Sequence, residues 1–227
     1  MRITALTAVP KQVGRVAIEA DGAAIGILFI EAVVSLGLAV GREVDAATIE
    51  AVAHQAAALR TYDRALRLLA ARGRSVRELR RRLLAAKEPE EHVTAALERL
   101  EAMGALDDEE YARQLARSQM VGRGYAPRRL KQELARRGVA RDVADRAIEV
   151  VIAEDAAPGS FGAEAGVDLT ETIERLARKK SRGLESVDAE TRSRRLYAFL
   201  ARRGYDSDDI RRVIARLDSE RGEPDLA

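Results

Sequence analysis

Apolar residues recur at spacings of three and four along most of the chain and alternate with polar ones only near its start. Ile3–Val9 is a short β-rich run and Arg15–Ala20 alternates in part. Asp21-Gly22 then supplies a two-residue hairpin turn before Ala23–Leu28. This predicts a three-stranded antiparallel meander, which is marginal alone and is expected to pack on the helical segment that follows. Glu31–Leu36 reads as a short helix stopped at Gly37, and Asp45 as the N-cap of a helix over Ala46–Leu59.

From Tyr62 onward the pattern repeats. First helices are expected to start near Tyr62, Tyr111 and Glu171, each followed by a basic second helix, a tight turn and a third helix. Leu79 and Leu83 correspond to Leu130 and Leu134 and then to Leu196 and Leu200; four-residue spacing puts each pair on one core-facing side. The turn after the second helix is Arg136-Arg137-Gly138-Val139 in the second repeat and Arg202-Arg203-Gly204-Tyr205 in the third. Glycine just past a helix, with arginine beside the negative end of its dipole, is a stop signal. The first repeat departs from this, with Lys87 at the glycine position and Pro89 blocking continuation. With a one-residue gap in the second repeat, the third helices align Val93/Val143/Ile210, Leu97/Ala147/Ile214 and Leu100/Val150/Leu217. Tandem modules of this kind contact mainly their neighbours. The expected fold class is mainly α: an elongated array of three tandem three-helix repeats with a small N-terminal β-rich extension.

The expected domains are an N-terminal extension over 1–60, repeats over 61–106 and 107–154, a Gly/Ala-rich flexible linker over 155–167, a third repeat over 168–219 and a polar tail over 220–227. With 4% aromatic residues and no Trp, burial must come from Ala, Leu, Val and Ile. The absence of Cys excludes disulfides, Fe–S clusters and thiol catalysis. His54 and His92 lie far apart in the sequence and read as ordinary helix residues rather than metal ligands. No stretch reaches the ~18 apolar residues of a membrane span and the start lacks a signal-peptide core, so a cytoplasmic protein with no membrane contact is expected.

The net charge of +2 hides segregation. Residues 72–87 hold seven basic groups and one acid, 113–137 eight and one, and 175–182 five and none. Of 39 basic residues 34 are Arg, which suits bidentate pairing with carboxylate or phosphate. Arg77, Arg128 and Arg194 occupy one repeat position, and Glu78, Arg129 and Arg195 the next; Arg74, Arg80, Arg81, Arg82, Arg123 and Lys131 surround them. A periodic basic stripe is expected, able to contact nucleic-acid phosphates or an acidic protein polymer. The bland alternative is a solvated face paired with acids of the other helices. Tyr62 and Tyr111 read as packing anchors, Tyr205 as a plug in a turn, and Tyr125 as the one aromatic with a possible contact role.

Catalytic motifs fare badly. The loop Gly122-Arg123-Gly124-Tyr125-Ala126-Pro127 lacks the strand and the Lys-Ser/Thr of a phosphate-binding loop. The acids Asp107 to Glu110 are explained by a helix N-terminus rather than by a metal. No enzyme activity and no cofactor are expected.

Residues 106–112, Leu-Asp-Asp-Glu-Glu-Tyr-Ala, followed by Gly122–Leu134 and Arg137-Gly138-Val139, resemble the central repeat of the RecX regulatory protein family. Tyr62–Leu66 through Arg77-Glu78-Leu79 is similar to that family's opening repeat, and Leu36-Gly37-Leu38 with Gly41 and Val44-Asp45 to its N-terminal extension. The resemblance implies a bacterial modulator of the RecA recombinase. Such proteins bind the RecA filament on single-stranded DNA and suppress its ATPase, strand exchange and SOS coprotease activities. It implies a monomeric, non-enzymatic inhibitor of RecA. Its contact candidates in this chain are Arg77, Arg81, Arg123, Tyr125, Arg128, Arg129, Lys131, Arg194 and Arg195. A general helical DNA-binding protein acting on recombination through DNA is the competing class.

Overall fold

The computed structural model describes residues 1–154 and 168–222. The chain divides into two compact units, Met1–Leu106 and Asp107–Ala227. The first opens with β1 (Ile3–Ala8), β2 (Arg15–Ala20) and β3 (Ala23–Phe29), an antiparallel sheet in the order β1-β2-β3. The β2–β3 turn is Asp21-Gly22, both at positive φ (47° and 78°), as a primed hairpin turn requires. Ile3, Ile18, Ala20 and Leu28 bury one face of the sheet against Val52 and Ala56. A Cβ added to Gly26 would stand 3.3 Å from Ala56 Cβ, so glycine lets strand and helix approach.

After the short α1 (Ile30–Ser35), stopped by Gly37 at φ 61°, comes α2 (Ala46–Ala71). Asp45 caps it, its carboxylate accepting from Thr48 N at 2.8 Å. The sequence predicts a helix ending at Leu59 and a new one near Tyr62; the structure instead has one helix of 26 residues. Nothing between 46 and 71 is Gly or Pro, so the helix has no reason to stop. Its first half covers the sheet, and its second half, with Leu59, Tyr62 and Ala65, packs against α3 (Val76–Ala85) and α4 (Glu90–Ala102).

The second unit contains α5 (Asp108–Arg123), α6 (Pro127–Arg136), α7 (Arg141–Glu154), α8 (Leu169–Arg182), α9 (Ala189–Ala201) and α10 (Ser207–Gly222). Asp107 caps α5 by accepting from Glu109 N and Glu110 N, while Glu109 and Glu110 pair with Arg146 and Arg113, so helix capping and pairing account for that acidic run. The helix α10 takes in 220–222, which the sequence predicts as part of the tail. The linker expected over 155–167 and the tail residues 223–227 lie outside the described residues.

The six leucines that define the repeat are all buried: Leu79, Leu83, Leu130, Leu134 and Leu200 have no exposed surface and Leu196 has 1%. The gap placed in the second repeat is a mistake that burial corrects. The inward residues are Val93, Ala96, Leu97 and Leu100 in α4, and Ala144, Ala147, Ile148 and Val151 in α7, with Val143 and Val150 only partly covered. The register that links Leu79 to Leu130 therefore continues unbroken through the third helix, because a one-residue slip turns a helix face by about 100°.

Gly138 and Gly204 end their second helices at φ 86° and 88°, and Lys87 takes the same left-handed conformation at φ 61°. The closing hydrogen bonds correspond too: Glu88 N to Leu83 O at 3.2 Å, Val139 N to Leu134 O at 3.1 Å and Tyr205 N to Leu200 O at 3.4 Å. The first repeat therefore adopts this shape without glycine. Tyr205 is the plug expected; its buried hydroxyl has no partner, and burial pushes the phenol up to about 12.

His54 and His92 are not isolated helix residues. Packing of α4 on α2 sets their rings edge to face with centroids 4.6 Å apart.

Candidate functional site

Within the second unit the α5–α6 turn, α8 and the end of α9 enclose a groove of about 930 Å³. Its charged lining is Arg123, Arg129, Arg175, Lys179, Lys180, Arg202 and Arg203, and among the described residues no carboxylate lines it. Among the described residues none of these seven makes an ion pair. Outside the groove, acids neutralise the same helices: Arg178 bonds Glu220 at 3.1 Å, Arg216 bonds Glu174 at 2.6 Å and Arg192 reaches Asp218 at 3.2 Å. Cations are thus concentrated on one wall while their counter-charges lie on another.

Local sequence explains the segregation. Gly124 ends α5 at φ 62°, the left-handed region that favours glycine, and a Cβ there would stand 2.4 Å from Leu176 Cδ1, so a side chain would force Leu176 on α8 to shift. Arg175 and Lys179, four apart on α8, share one helix face and both line the groove. In the repeat register Arg203 corresponds to Arg137, and Phe199 to Glu133. Arg137 is satisfied by Glu133 at 2.9 Å and by the Tyr111 hydroxyl at 2.9 Å. Arg203 finds Phe199 instead, its guanidinium 3.7 Å from the ring centroid, and donates from Nε to Arg123 O at 3.2 Å. Burial lowers the Arg203 guanidinium from its ordinary value, against the raising influence of Tyr125 and Tyr205. An incoming anion would relieve such a partly desolvated cation.

Tyr125 lies between Arg123 and Arg129, whose guanidiniums are 6.0 and 5.6 Å from its ring centroid. Interaction with Arg123 first, and the charge of both arginines after it, lowers the Tyr125 phenol against the effect of burial. Repeats two and three also meet here directly: Ala126 N donates to Arg203 O at 2.9 Å, and Ala126 belongs to the core of the third repeat.

Of the nine sequence candidates the groove gathers three: Arg123, Tyr125 and Arg129. Arg129 is only half-exposed and its Nε is buried without a hydrogen-bond partner. Arg128 is exposed and lines an adjoining cavity shared with Glu174, Asp206 and Asp209, where the charge is mixed. Lys131 is tied to Asp145 at 2.9 Å. Arg194 and Arg195 are exposed on α9, with Arg194 near enough to Asp188 to help lower that carboxyl. Arg77 and Arg81 are exposed on α3 in the first unit.

The other basic residues singled out on α3 are largely structural. Arg72, Arg74 and Arg82 converge on Glu78, whose side chain is only 5% exposed, and Arg80 pairs with Glu90 at 2.7 Å. Burial works to raise the Glu78 carboxyl, but the hydrogen bond from Arg82 and the charges of Arg72 and Arg74 hold it below its ordinary value. Sequence reasoning missed Arg175, Lys179, Lys180, Phe199, Arg202 and Arg203 as groove residues. The signal was present in the acid-free run 175–182, whereas Arg202 and Arg203 were absorbed into a helix-stop reading.

Residues 62–100, 107–148 and 167–214 match, in turn, the first, second and third three-helix domains of RecX. The chain belongs to the RecX family. A Regulatory protein RecX from Mycolicibacterium vanbaalenii is 35% identical over 164 residues, 69% of this chain and 82% of that protein. One from Levilactobacillus brevis is 27% identical over 218 residues, 96% of this chain and 77% of the relative. A crystal structure of regulatory protein RecX superposes with a TM-score of 0.73 at 23% identity, over 93% of this chain and 98% of that one, which shows the shared fold. RecX membership makes this chain a member of a family of regulatory proteins with three helical domains. Among the described residues no helix is long and apolar enough to cross a membrane.

Proposed function

We propose that this chain is a negative regulator of RecA that binds the RecA filament on single-stranded DNA and inhibits its ATPase, strand exchange and coprotease activities, without enzymatic turnover of its own. The observation that carries the reading is the acid-free groove of the second unit, with seven cations and two aromatic rings. A cluster of cations, Arg129 and Arg203 half-buried and Arg123, Arg175 and Arg202 exposed, suits a repeating anionic surface, either phosphates or the acidic side chains of a protein polymer. Tyr125 and Phe199, both half-buried beside the cations, favour a second reading, a DNA-binding protein that acts on recombination only through DNA, because aromatic rings next to basic groups can stack on bases.

The two readings separate in one assay. Substoichiometric protein is expected to lower the DNA-dependent ATPase of RecA even when single-stranded DNA is in large excess. Under the second reading, added DNA titrates the effect away.

A further inference from the structure

We infer that His54, Glu91 and His92 form a zinc-binding site joining α2 to α4 in the first unit. His54 Nε2 lies 3.0 Å from Glu91 Oε1 and 3.2 Å from His92 Nε2, and His92 Nε2 is 3.7 Å from Glu91 Oε1. Ligands at 2.0–2.1 Å around a tetrahedral zinc ion stand about 3.3 Å apart, so this triangle has the size of one face of that tetrahedron. Two imidazole nitrogens and one carboxylate oxygen are a donor set zinc accepts, and three protein ligands leave its fourth position to water or another ligand. His54 and Glu91 reach solvent, at 48% and 67% side-chain exposure, so the ion has an entry path; His92, at 7%, anchors the site from below.

The outer shell of the site is incomplete. His92 Nδ1 is buried with no hydrogen-bond partner, so the polar contacts of this ring all run through Nε2, toward the other two ligands. A metal on Nε2 fixes the proton on Nδ1. Because that proton has no acceptor, the site is expected to bind about 10–100-fold more weakly than one whose outer shell is complete. The inference is independent of what the second unit binds.

The chain has two histidines and no cysteine, and both histidines are in the site, which makes the test clean. Full-length protein, with any affinity tag removed and stripped by chelator, is dialysed against Zn²⁺ and titrated with Co²⁺. The expected result is one ion per chain, the visible bands of four-coordinate cobalt, simultaneous shifts of both histidine ring signals in NMR, and a melting temperature raised by about 5–10 °C at a hundredfold excess over the dissociation constant. His54→Gln and Glu91→Gln change exposed side chains and should keep the fold by circular dichroism while weakening zinc by about tenfold or more. No stoichiometric uptake, uptake that His54→Gln leaves unchanged, or a shift of only one histidine would overturn the site and leave a hydrogen-bonded His-His-Glu cluster.

Discussion

Glu78 shows how one buried carboxylate organises a basic helix. Three arginines surround it, so replacing it by Gln removes the carboxylate charge that all three share, Arg74 among them at 6% exposed. Glu78→Gln should destabilise the protein by roughly 3 kcal/mol, the low end for breaking a buried pair, since Arg72 and Arg82 still reach solvent. The sign of the pH dependence follows from the lowered folded-state pKa: the unfolded chain takes up the proton first as pH falls. The contribution is complete above the unfolded value of about 4.3 and disappears as pH drops through the lowered folded value. Urea denaturation between pH 6 and pH 3, ranges chosen to bracket about 4.3, should show a loss of stability in the native protein that Glu78→Gln reduces. A flat difference between the two proteins across that range would contradict the assignment. Nothing in the sequence separates these arginines from the groove arginines, because the spacing of residues along α3 gives their face but not the acid that folding brings to it.

Helix ends carry the clearest lesson at the scale of elements. The unbroken register through all three repeats puts Lys87, Gly138 and Gly204 at one left-handed position. A side chain there costs about 1–2 kcal/mol, partly offset because glycine also loosens the unfolded chain, so Lys87→Gly should stabilise by about 1 kcal/mol. Gly204→Ala should do the opposite, since its Cβ would stand 2.6 Å from Arg129 N and displace the groove wall. Thermal melts of the two variants check both; stabilisation by Gly204→Ala would refute the packing of that turn. Strands, hairpin turn, the cap of α2 and the leucine pairs were legible because each is decided by a few neighbouring residues, as at Asp21-Gly22, Asp45 and Leu130/Leu134. The length of α2 and the phase of α7 were not. A helix without Gly or Pro carries no internal stop, and of the neighbours Val143 and Ala144 the more apolar valine draws the register, whereas packing turns the smaller alanine inward.

At the scale of the whole molecule the proposed function rests on where charge is left uncompensated. The sequence shows the basic runs 113–137 and 175–182, but only folding reveals that part of each meets in a groove free of acids while Lys131, Arg137 and Arg178 are neutralised elsewhere. If the groove neutralises phosphates of single-stranded DNA, each lost contact lowers the slope of log affinity against log salt by about 0.7. Arg175→Ala with Lys179→Ala should therefore reduce that slope by about 1.4 in binding to DNA-bound filaments. An unchanged slope would assign these side chains to protein rather than to phosphate. The most direct measurement compares two charge-reversed proteins in the RecA ATPase assay. One is Arg175→Glu with Lys179→Glu in the groove. The other is Arg211→Glu with Arg212→Glu on α10, where both arginines are exposed and pair locally with Asp208 and Asp209. The net change in charge is the same. The groove variant should need at least about ten times more protein for equal inhibition, and the α10 variant close to the native amount; equal loss in both, or none in the groove variant, would contradict the account.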